Sequence, residues 1–207
     1  MDLINRLQLL SIKNEDPDYG QKVFALLNDP EFEVIDLSLR PYSKSILHYL
    51  MYDSCKESLL YLIELSREPT KSKQVINLDI NVRETTTEKS PLHVAVYNKA
   101  HECVKILLDM GADPNQADFL GCAPLYAAVI NSDLILTDLL IKKGAELNHR
   151  HARGRTLLHI AAIDDNQEIM KILLLNGADQ CAIDSYGLTA EDLAKGKISR
   201  ELKIKWL

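Results

Sequence analysis

The sequence has few cysteines, and this limits the kinds of fold that can be expected. Its 207 residues include four cysteines, and no two of them form a CxxC pair. Such a distribution argues against a zinc ribbon and against a fold held together by disulfides. It is typical of proteins from a reducing compartment, so we expect a cytoplasmic protein.

Long apolar runs and an excess of basic residues are also missing. No uncharged apolar stretch approaches the roughly 18–20 residues that span a bilayer, and the first residues, MDLINRLQLLSIKNEDPD, lack the basic start of a signal peptide. The net charge is -6, whereas general nucleic-acid binders and anionic-membrane binders are usually basic. We therefore expect no membrane insertion and no nucleic-acid partner.

Catalytic motifs are absent as well. The chain contains no G-x-S-x-G, no HEXXH and no glycine-rich phosphate loop. His149 and His151 form an H-x-H pair, but no further ligand lies at a convincing spacing, so no metal site is expected. The sequence predicts neither an enzyme nor a bound cofactor.

What the sequence does contain is a repeat of 33 residues. The tripeptide Gly-Ala-Asp or Gly-Ala-Glu recurs at this spacing, and so do a second glycine and a four-residue segment typical of a helix start. Three markers in one register identify a tandem repeat. The first glycines are Gly111, Gly144 and Gly177, the second are Gly121, Gly154 and Gly187, and the four-residue segments begin at Ser90, Ala123, Thr156 and Thr189.

Each repeat predicts two helices with turns between them. A Ser or Thr hydroxyl can cap the first helix, and a proline at the next position suits its first turn. The second helix shows apolar residues at helical spacing and ends at a glycine that can adopt a left-handed conformation. Because no single repeat can bury its apolar face alone, the repeats must stack to form a core.

This pattern resembles the ankyrin repeat family. The resemblance is carried by SPLHVA from Ser90, GADPN from Gly111, TLLHIAA from Thr156 and GAD from Gly177, and it is strong over residues 85–194. It implies an all-α repeat solenoid, in which antiparallel helix pairs with β-hairpin-like tips stack into a curved array.

We expect the array to occupy most of the chain. Residues 1–42 are interpreted as a divergent helical N-terminal cap or first repeat, and residues 43–207 as the array. The expected repeats are 43–84, 85–117, 118–150, 151–183 and a C-terminal capping repeat at 184–207, in which the exposed Glu191 replaces a core leucine.

The repeat at 43–84 departs from the common length. Ser45 to His48 resembles another helix start, but His48 and His93 lie 45 residues apart, so this repeat carries extra residues near 66–77. They form either a protruding contact loop or a lengthened second helix with a tolerated insertion. Residues 78–81 are interpreted as a strand that leads into the next repeat.

The repeated histidines have a structural interpretation. His93 and His159 occupy one fixed position of the repeat, and Tyr126 replaces them in the middle repeat. We interpret the histidines as buried, hydrogen-bonded side chains that tie a turn together.

The resemblance implies that partners bind the concave surface formed by the tips and the first helices. Phe119 and Leu120 lie at a tip where polar residues are usual, and they form either a binding hot spot or a pair folded beneath the neighbouring tip. The other residues that the register places on this surface are Tyr97, Asn98, Ile130, Asn131, Ile163, Asp164 and Tyr186.

A basic turn lies on the same surface. Arg150, Arg153 and Arg155 follow each other closely in a chain of negative net charge. Guanidinium groups suit carboxylates or phosphates, so the turn is either an anchor for an acidic partner segment or a solvated tip. Asp164 and Asp165 could neutralise part of its charge.

These patterns favour a non-catalytic module that binds a partner protein and is a monomer when unbound. One alternative is an adaptor, an inhibitor or a host-directed bacterial effector that acts on a partner enzyme, with the host cytosol as its location. A second alternative is an enzyme with its site in residues 1–80.

Overall fold

The computed structural model describes residues 45–52, 56–67 and 78–194. Within these ranges the regular structure consists of nine α-helices and one short 3-10 turn, with no strand. The helices are α1 (Ile46–Tyr52), α2 (Lys56–Arg67), α3 (Pro91–Tyr97), α4 (His101–Asp109), α5 (Pro124–Ile130), α6 (Leu134–Lys142), α7 (Leu157–Ile163), α8 (Gln167–Leu175) and α9 (Ala190–Leu193), and the 3-10 turn is Ala152–Gly154. The expectations for residues 1–42 and for 195–207 lie outside the described residues.

The first helix of each repeat begins where the sequence predicts it. At α3, Ser90 is extended, and its hydroxyl accepts a hydrogen bond from the backbone N–H of His93. At α5 the corresponding Ala123 makes no side-chain bond to the helix, so Pro124 at the first helical position is the remaining local start signal. The sequence therefore signals the start of α5 less strongly than the start of α3.

The second helices end at the glycines of the repeat. Gly111, Gly144 and Gly177 have φ angles of 88°, 90° and 91°, a left-handed conformation that other residues adopt with strain. A Cβ atom at these three positions would meet nothing within 4 Å, so backbone conformation and not crowding requires the glycine. Beyond Gly111, the N–H of Ala112 donates to the carbonyl of Leu107 at 2.9 Å, which closes α4 with the expected C-terminal cap.

The described helices form two compact units, and each is described by itself. In the first unit, which ends at Asp113, α1 packs against α3 and α2 against α4. In the second unit, which begins at Pro114, α5, α7 and α9 follow one another in a row and α6 packs against α8. First helices thus pack on first helices and second helices on second helices, which confirms the expected all-α repeat solenoid class.

The core of each unit comes from the residues that the repeat predicts. Leu92 is fully buried on α3, and Leu125 and Leu158 are 1% exposed at the same position of α5 and α7. Burial of one such leucine stabilises a fold by about 1.5–3 kcal/mol. Ala128 and Ala161 are also buried on the first helices, where their small side chains allow neighbouring helices to approach closely.

Asparagine side chains connect the segments that follow the second helices of neighbouring repeats. Oδ1 of Asn115 accepts from the N–H of Glu146 at 2.8 Å, while its Nδ2 donates to the carbonyl of Gly144 at 2.9 Å. Oδ1 of Asn148 likewise accepts from the N–H of Asp179 at 2.8 Å. In the first unit, Asn81 makes the matching contact to Asp113.

Some expectations about the first repeat need correction or refinement. Residues 78–81 form a turn and not a strand, because Oδ1 of Asp79 accepts from the N–H of Asn81 and the carbonyl of Asp79 accepts from Val82. The lengthened second helix is present, since α2 has 12 residues where α4, α6 and α8 have nine. The extra residues from 68 to 77 lie outside the described ranges.

At the last repeat, Glu191 is exposed on α9, as expected for a position that faces solvent in a capping repeat. Among the helices in the described ranges, none combines the length and the apolar composition needed to cross a membrane.

Candidate functional site

Three turns of the second unit lie next to one another, and we name them together the tip row: residues 118–122, 151–155 and 184–188. Each turn is closed by a backbone hydrogen bond from its first residue to its last, at 2.8–2.9 Å. The middle turn contacts α5, the helix that follows the first turn, through the rings of His151 and Tyr126, whose centroids lie 4.7 Å apart. It contacts the third through a hydrogen bond of 2.8 Å from the N–H of Ser185 to the carbonyl of Arg153.

The first turn of the tip row is organised by Asp118. This residue is buried, and its Oδ1 accepts from the N–H groups of Leu120 and Cys122 at 2.9 and 3.0 Å. Because the carboxylate points inward, the next two side chains point outward, and Phe119 and Leu120 are 58% and 66% exposed. The interpretation that this pair folds beneath the neighbouring tip is therefore wrong.

The third turn repeats this arrangement with Asp184. Its Oδ1 accepts from the N–H groups of Tyr186 and Leu188, and its Oδ2 accepts from Nε of Arg155 at 3.4 Å. Desolvation opposes ionisation of Asp184, but the two backbone donors and the Arg155 guanidinium outweigh it and lower the pKa of the carboxyl group. The side chain of Tyr186 is 65% exposed, as Leu120 is on the first turn.

The middle turn differs because His151 stands where the other two turns have aspartate. Nδ1 of His151 is buried without a hydrogen-bond partner among the described residues. Arg153 and Gly154 both have positive φ angles, 62° and 69°, whereas the first and third turns have a positive φ only at Gly121 and Gly187. Without a carboxylate to hold it, the middle turn takes a different and more strained path.

Burial also determines the protonation of His151. Desolvation is the main cause that lowers the pKa of this imidazole to about 4, and the neighbouring His149 adds to it, while Asp118 acts in the opposite direction. The rings of His149 and His151 lie 5.1 Å apart. In the part of the chain that the structure describes, no group of three histidine, cysteine or acidic residues could hold a metal ion.

The three arginines of the basic turn have different roles. Nη1 of Arg150 donates to the carbonyls of Gly154 and Ile183 at 3.1 and 2.7 Å, so this side chain joins the middle turn to the third. Arg155 pairs with the buried Asp184, and its side chain is 23% exposed. Arg153 is exposed and pairs with none of the described acidic residues. Asp184 therefore neutralises part of the charge of the turn.

The first helices begin directly after the turns of the tip row, and their last residues carry further exposed apolar side chains. Ile130 and Ile163 are the last residues of α5 and α7, which pack together, and they are 41% and 44% exposed. Each is followed by a polar residue, the half-buried Asn131 and the exposed Asp164. Burial raises the pKa of Tyr126 on α5, and the charges of Cys122, Asp164 and Asp118 add to the shift, so Asp164 lies near this end of the tip row.

Tyr97 and Asn98 belong to the first unit. Tyr97 is 59% exposed at the end of α3, and the ammonium group of Lys89 lies 5.5 Å from its ring centroid. The Asn98 amide donates to the carbonyl of Met51 at 3.1 Å, which connects the end of α3 to α1. Asn98 therefore makes a structural contact in its own unit.

The expected role of the repeated histidines is confirmed. His159 is fully buried; its Nδ1 lies 2.8 Å from the hydroxyl of Thr156, and its Nε2 lies 3.1 Å from the carbonyl of Leu188. One ring thus fixes the start of α7 and the end of the third turn. His93 is 4% exposed and makes the same contact to Ser90 at 2.8 Å.

Sequence reasoning missed the aspartates and asparagines that shape this surface. Asp118 and Asp184 each lie three residues before the second glycine of their repeat, and Asn115 and Asn148 are separated by the repeat length. This register is a signal that the sequence carries. What it does not show is that the carboxylates face the backbone.

Comparison with known families agrees with this architecture. A family model for ankyrin repeats matches the chain in three copies, over residues 10–118 and 125–198. No curated protein matches the chain. Because the matched residues make up most of the sequence and the structure has the corresponding helix pairs, this chain belongs to the ankyrin repeat family.

Proposed function

We propose that this chain is a non-catalytic module that binds a partner protein through the tip row and the exposed ends of α5 and α7. Ankyrin repeats are general protein–protein interaction modules, and the family is typically non-catalytic. The observation that carries the proposal is the exposure of Phe119, Leu120 and Tyr186 on turns whose backbones are held by buried carboxylates.

The arrangement has the properties of a binding hot spot. Large aromatic and apolar side chains contribute most to binding when a partner removes them from water. Asp118 and Asp184 fix the backbone of their turns before any partner arrives, so less conformational freedom is lost on binding. Ile130 and Ile163 extend the apolar surface along the first helices.

The proposal includes an acidic segment in the partner, because Arg153 is an exposed cation within the tip row. We also propose that the unbound chain is a monomer and that it lies in the cytoplasm. The cytoplasmic location is supported by Cys103, Cys122 and Cys181, which form no disulfide. No described residue favours an adaptor, an inhibitor or a host-directed effector over a binding module, so the proposal stops at binding.

A peptide selection tests this proposal and requires no identified partner. A phage-displayed random peptide library is panned against the full chain, and the Kd of the selected peptides is measured by fluorescence anisotropy. The double substitution Phe119→Ser and Leu120→Ser should weaken binding by tenfold or more, about 1.4 kcal/mol or above. Its Tm should stay unchanged, because both side chains are exposed in the unbound chain.

The chain offers a matched control on α6. Leu134 and Ile135 are a second exposed apolar pair, 40% and 69% exposed, and lie outside the tip row. Leu134→Ser with Ile135→Ser should leave the Kd unchanged. If this control weakens binding as much as the tip variant, or if the tip variant binds normally, the proposed surface is wrong.

A further inference from the structure

We propose that Arg153 selects the partner by pairing with a carboxylate in an extended acidic segment, whose apolar side chains about three residues to either side contact the outer two turns of the tip row. This inference rests on the proposed function, because it names the chemistry of the partner that the same surface binds.

Arg150 and Arg155 hold the middle turn, whereas Arg153 is available to a partner. Nη1 of the exposed Arg150 is bound to two carbonyl oxygens and Arg155 to a buried carboxylate, so both guanidinium groups already have partners in the chain. Arg153 is exposed, and its one hydrogen bond to the described residues is the one that its backbone carbonyl accepts from the N–H of Ser185. Within the described residues, the tip row therefore offers one guanidinium group to a partner.

The backbone of the middle turn has a conformation at Arg153 that the other two turns lack. Leu120 and Tyr186 occupy the position of Arg153 in the other turns, and neither has a positive φ. At Arg153 the φ of 62° is a left-handed conformation that strains a non-glycine residue. Such strain persists where the surroundings impose it, and here the Ser185 N–H holds the carbonyl of Arg153 while Arg150 holds the carbonyl of the next residue, Gly154.

The local charge leaves the guanidinium free for an external carboxylate. Asp118 and Asp184, the acidic residues of the neighbouring turns, direct their Oδ1 atoms to backbone N–H groups. A carboxylate can accept two parallel hydrogen bonds from one guanidinium, an arrangement stronger than a neutral hydrogen bond. The exposed cation lies between two apolar turns, so the complementary segment has an acidic residue between two apolar ones.

The geometry of the row sets the spacing within that segment. The turns belong to successive repeats whose first helices α5, α7 and α9 pack in sequence. Packed helices lie about 8–10 Å apart, and a chain in the extended polyproline II conformation advances about 3.1 Å per residue with three residues per turn, so every third side chain faces the same way. A segment that runs along the row therefore advances about three residues from one turn to the next.

Synthetic peptides test this inference directly. The probe contains the core Leu-Thr-Ser-Glu-Thr-Ser-Leu with a fluorescent label, and matched peptides carry Gln in place of Glu, phosphoserine in place of Glu, or one residue fewer on each side of the Glu. The wild-type chain should bind the Glu peptide about tenfold more tightly than the Gln peptide at low salt. The shortened peptide should bind more weakly than the probe.

Variants of the protein then identify the group that distinguishes Glu from Gln. Arg153→Gln should bind the Glu and Gln peptides equally, with an unchanged Tm, because this side chain makes no hydrogen bond or ion pair with the described residues. Lys171→Gln on α8 removes an exposed positive charge outside the tip row, so this control should keep the tenfold preference. Arg155→Gln should lower the Tm, because it leaves Asp184 without its ion-pair partner.

The outcomes separate this inference from the proposed function. If library-selected peptides depend on Phe119 and Leu120 while the Glu and Gln peptides bind the wild type equally, the acidic partner is wrong and the binding surface stands. If the Glu and Gln peptides bind equally and the phosphoserine peptide binds tenfold more tightly, the partner group that Arg153 binds is a phosphate and not a carboxylate. If neither selected nor designed peptides depend on the tip row, both ideas fail.

Discussion

A single substitution within the repeat, His151 for aspartate, changes the local chemistry of the second unit. At Asp118 and Asp184 a carboxylate accepts two backbone N–H groups and fixes its turn. At His151 that acceptor is missing, one ring nitrogen is buried without a described partner, and the ring packs against Tyr126. The same register position therefore yields a turn with a different backbone.

The lowered pKa of His151 predicts a dependence of stability on pH. The folded imidazole has a pKa of about 4, below the value of 6.5 expected in the unfolded chain. Between these two values the unfolded state binds more protons, so the free energy of unfolding falls as the pH falls. The contribution is fully present above 6.5 and is lost progressively towards 4.

His151→Asn should remove this part of the pH dependence, because asparagine does not titrate. Between about pH 7 and about pH 4.5, the wild type should lose about 1–2 kcal/mol more free energy of unfolding than the variant, a value reduced for the partial burial of the ring. Urea unfolding at both pH values measures it. Equal losses in the two proteins would show that His151 titrates normally in the folded state.

At the scale of the element, each turn is held both from within and from the preceding repeat. A buried aspartate orders the first and third turns, while Asn115 and Asn148 reach from one repeat to the segment before the next turn. The first helices α3 and α9 start from side-chain caps, and the second helices α4, α6 and α8 end at left-handed glycines. Each bond is small, but it recurs once per repeat.

Asn115 provides a test of this contact between repeats. Asn115→Ala removes the acceptor for the N–H of Glu146 and the donor to the carbonyl of Gly144, and it should cost about 1 kcal/mol. Hydrogen exchange of the Glu146 amide should become about fivefold faster, in line with that loss. Asn115→Asp keeps the acceptor, so the Glu146 amide should remain protected in this control. Fast exchange in both variants would contradict the assignment of Oδ1 as the protecting atom.

At the scale of the whole molecule, the structure has two layers in each unit, one of first helices and one of second helices. The buried side chains lie between successive repeats, and each repeat depends on its neighbours. Stability in such an array is expected to respond locally to the loss of a core side chain.

Leu140→Ala tests this locality. Leu140 on α6 is fully buried, and its truncation should lower the free energy of unfolding by about 2–5 kcal/mol. Amide exchange should rise mainly in α5 to α8, with little change in α3 and α4. Leu120→Ala, at an exposed leucine, is the control and should change stability by less than about 0.5 kcal/mol. A uniform rise in exchange across both units would show that the chain unfolds as one cooperative body.

Much of the fold can be predicted from the sequence, because each repeat carries local signals for where its helices begin and end and for which residues are buried. Pro91 and Ser90 begin α3, Gly111 ends the helix after it, and Leu92 is buried as predicted. The candidate site was predicted less completely. Exposure of Phe119 depends on the inward direction of the Asp118 carboxylate, which spacing alone does not reveal.

The sequence by itself determined the repeat length, the helix pairs and the residues of the core, because helix caps, glycine conformations and apolar periodicity act over a few neighbouring residues. The tertiary structure decided the roles of the arginines. Arg150, Arg153 and Arg155 are close neighbours in sequence, but two of them meet partners about 30 residues away, at the start of the third turn or directly before it. Only the stacking of repeats brings those partners within hydrogen-bonding distance, and it thereby leaves Arg153 as the arginine of this group whose side chain has no partner among the described residues.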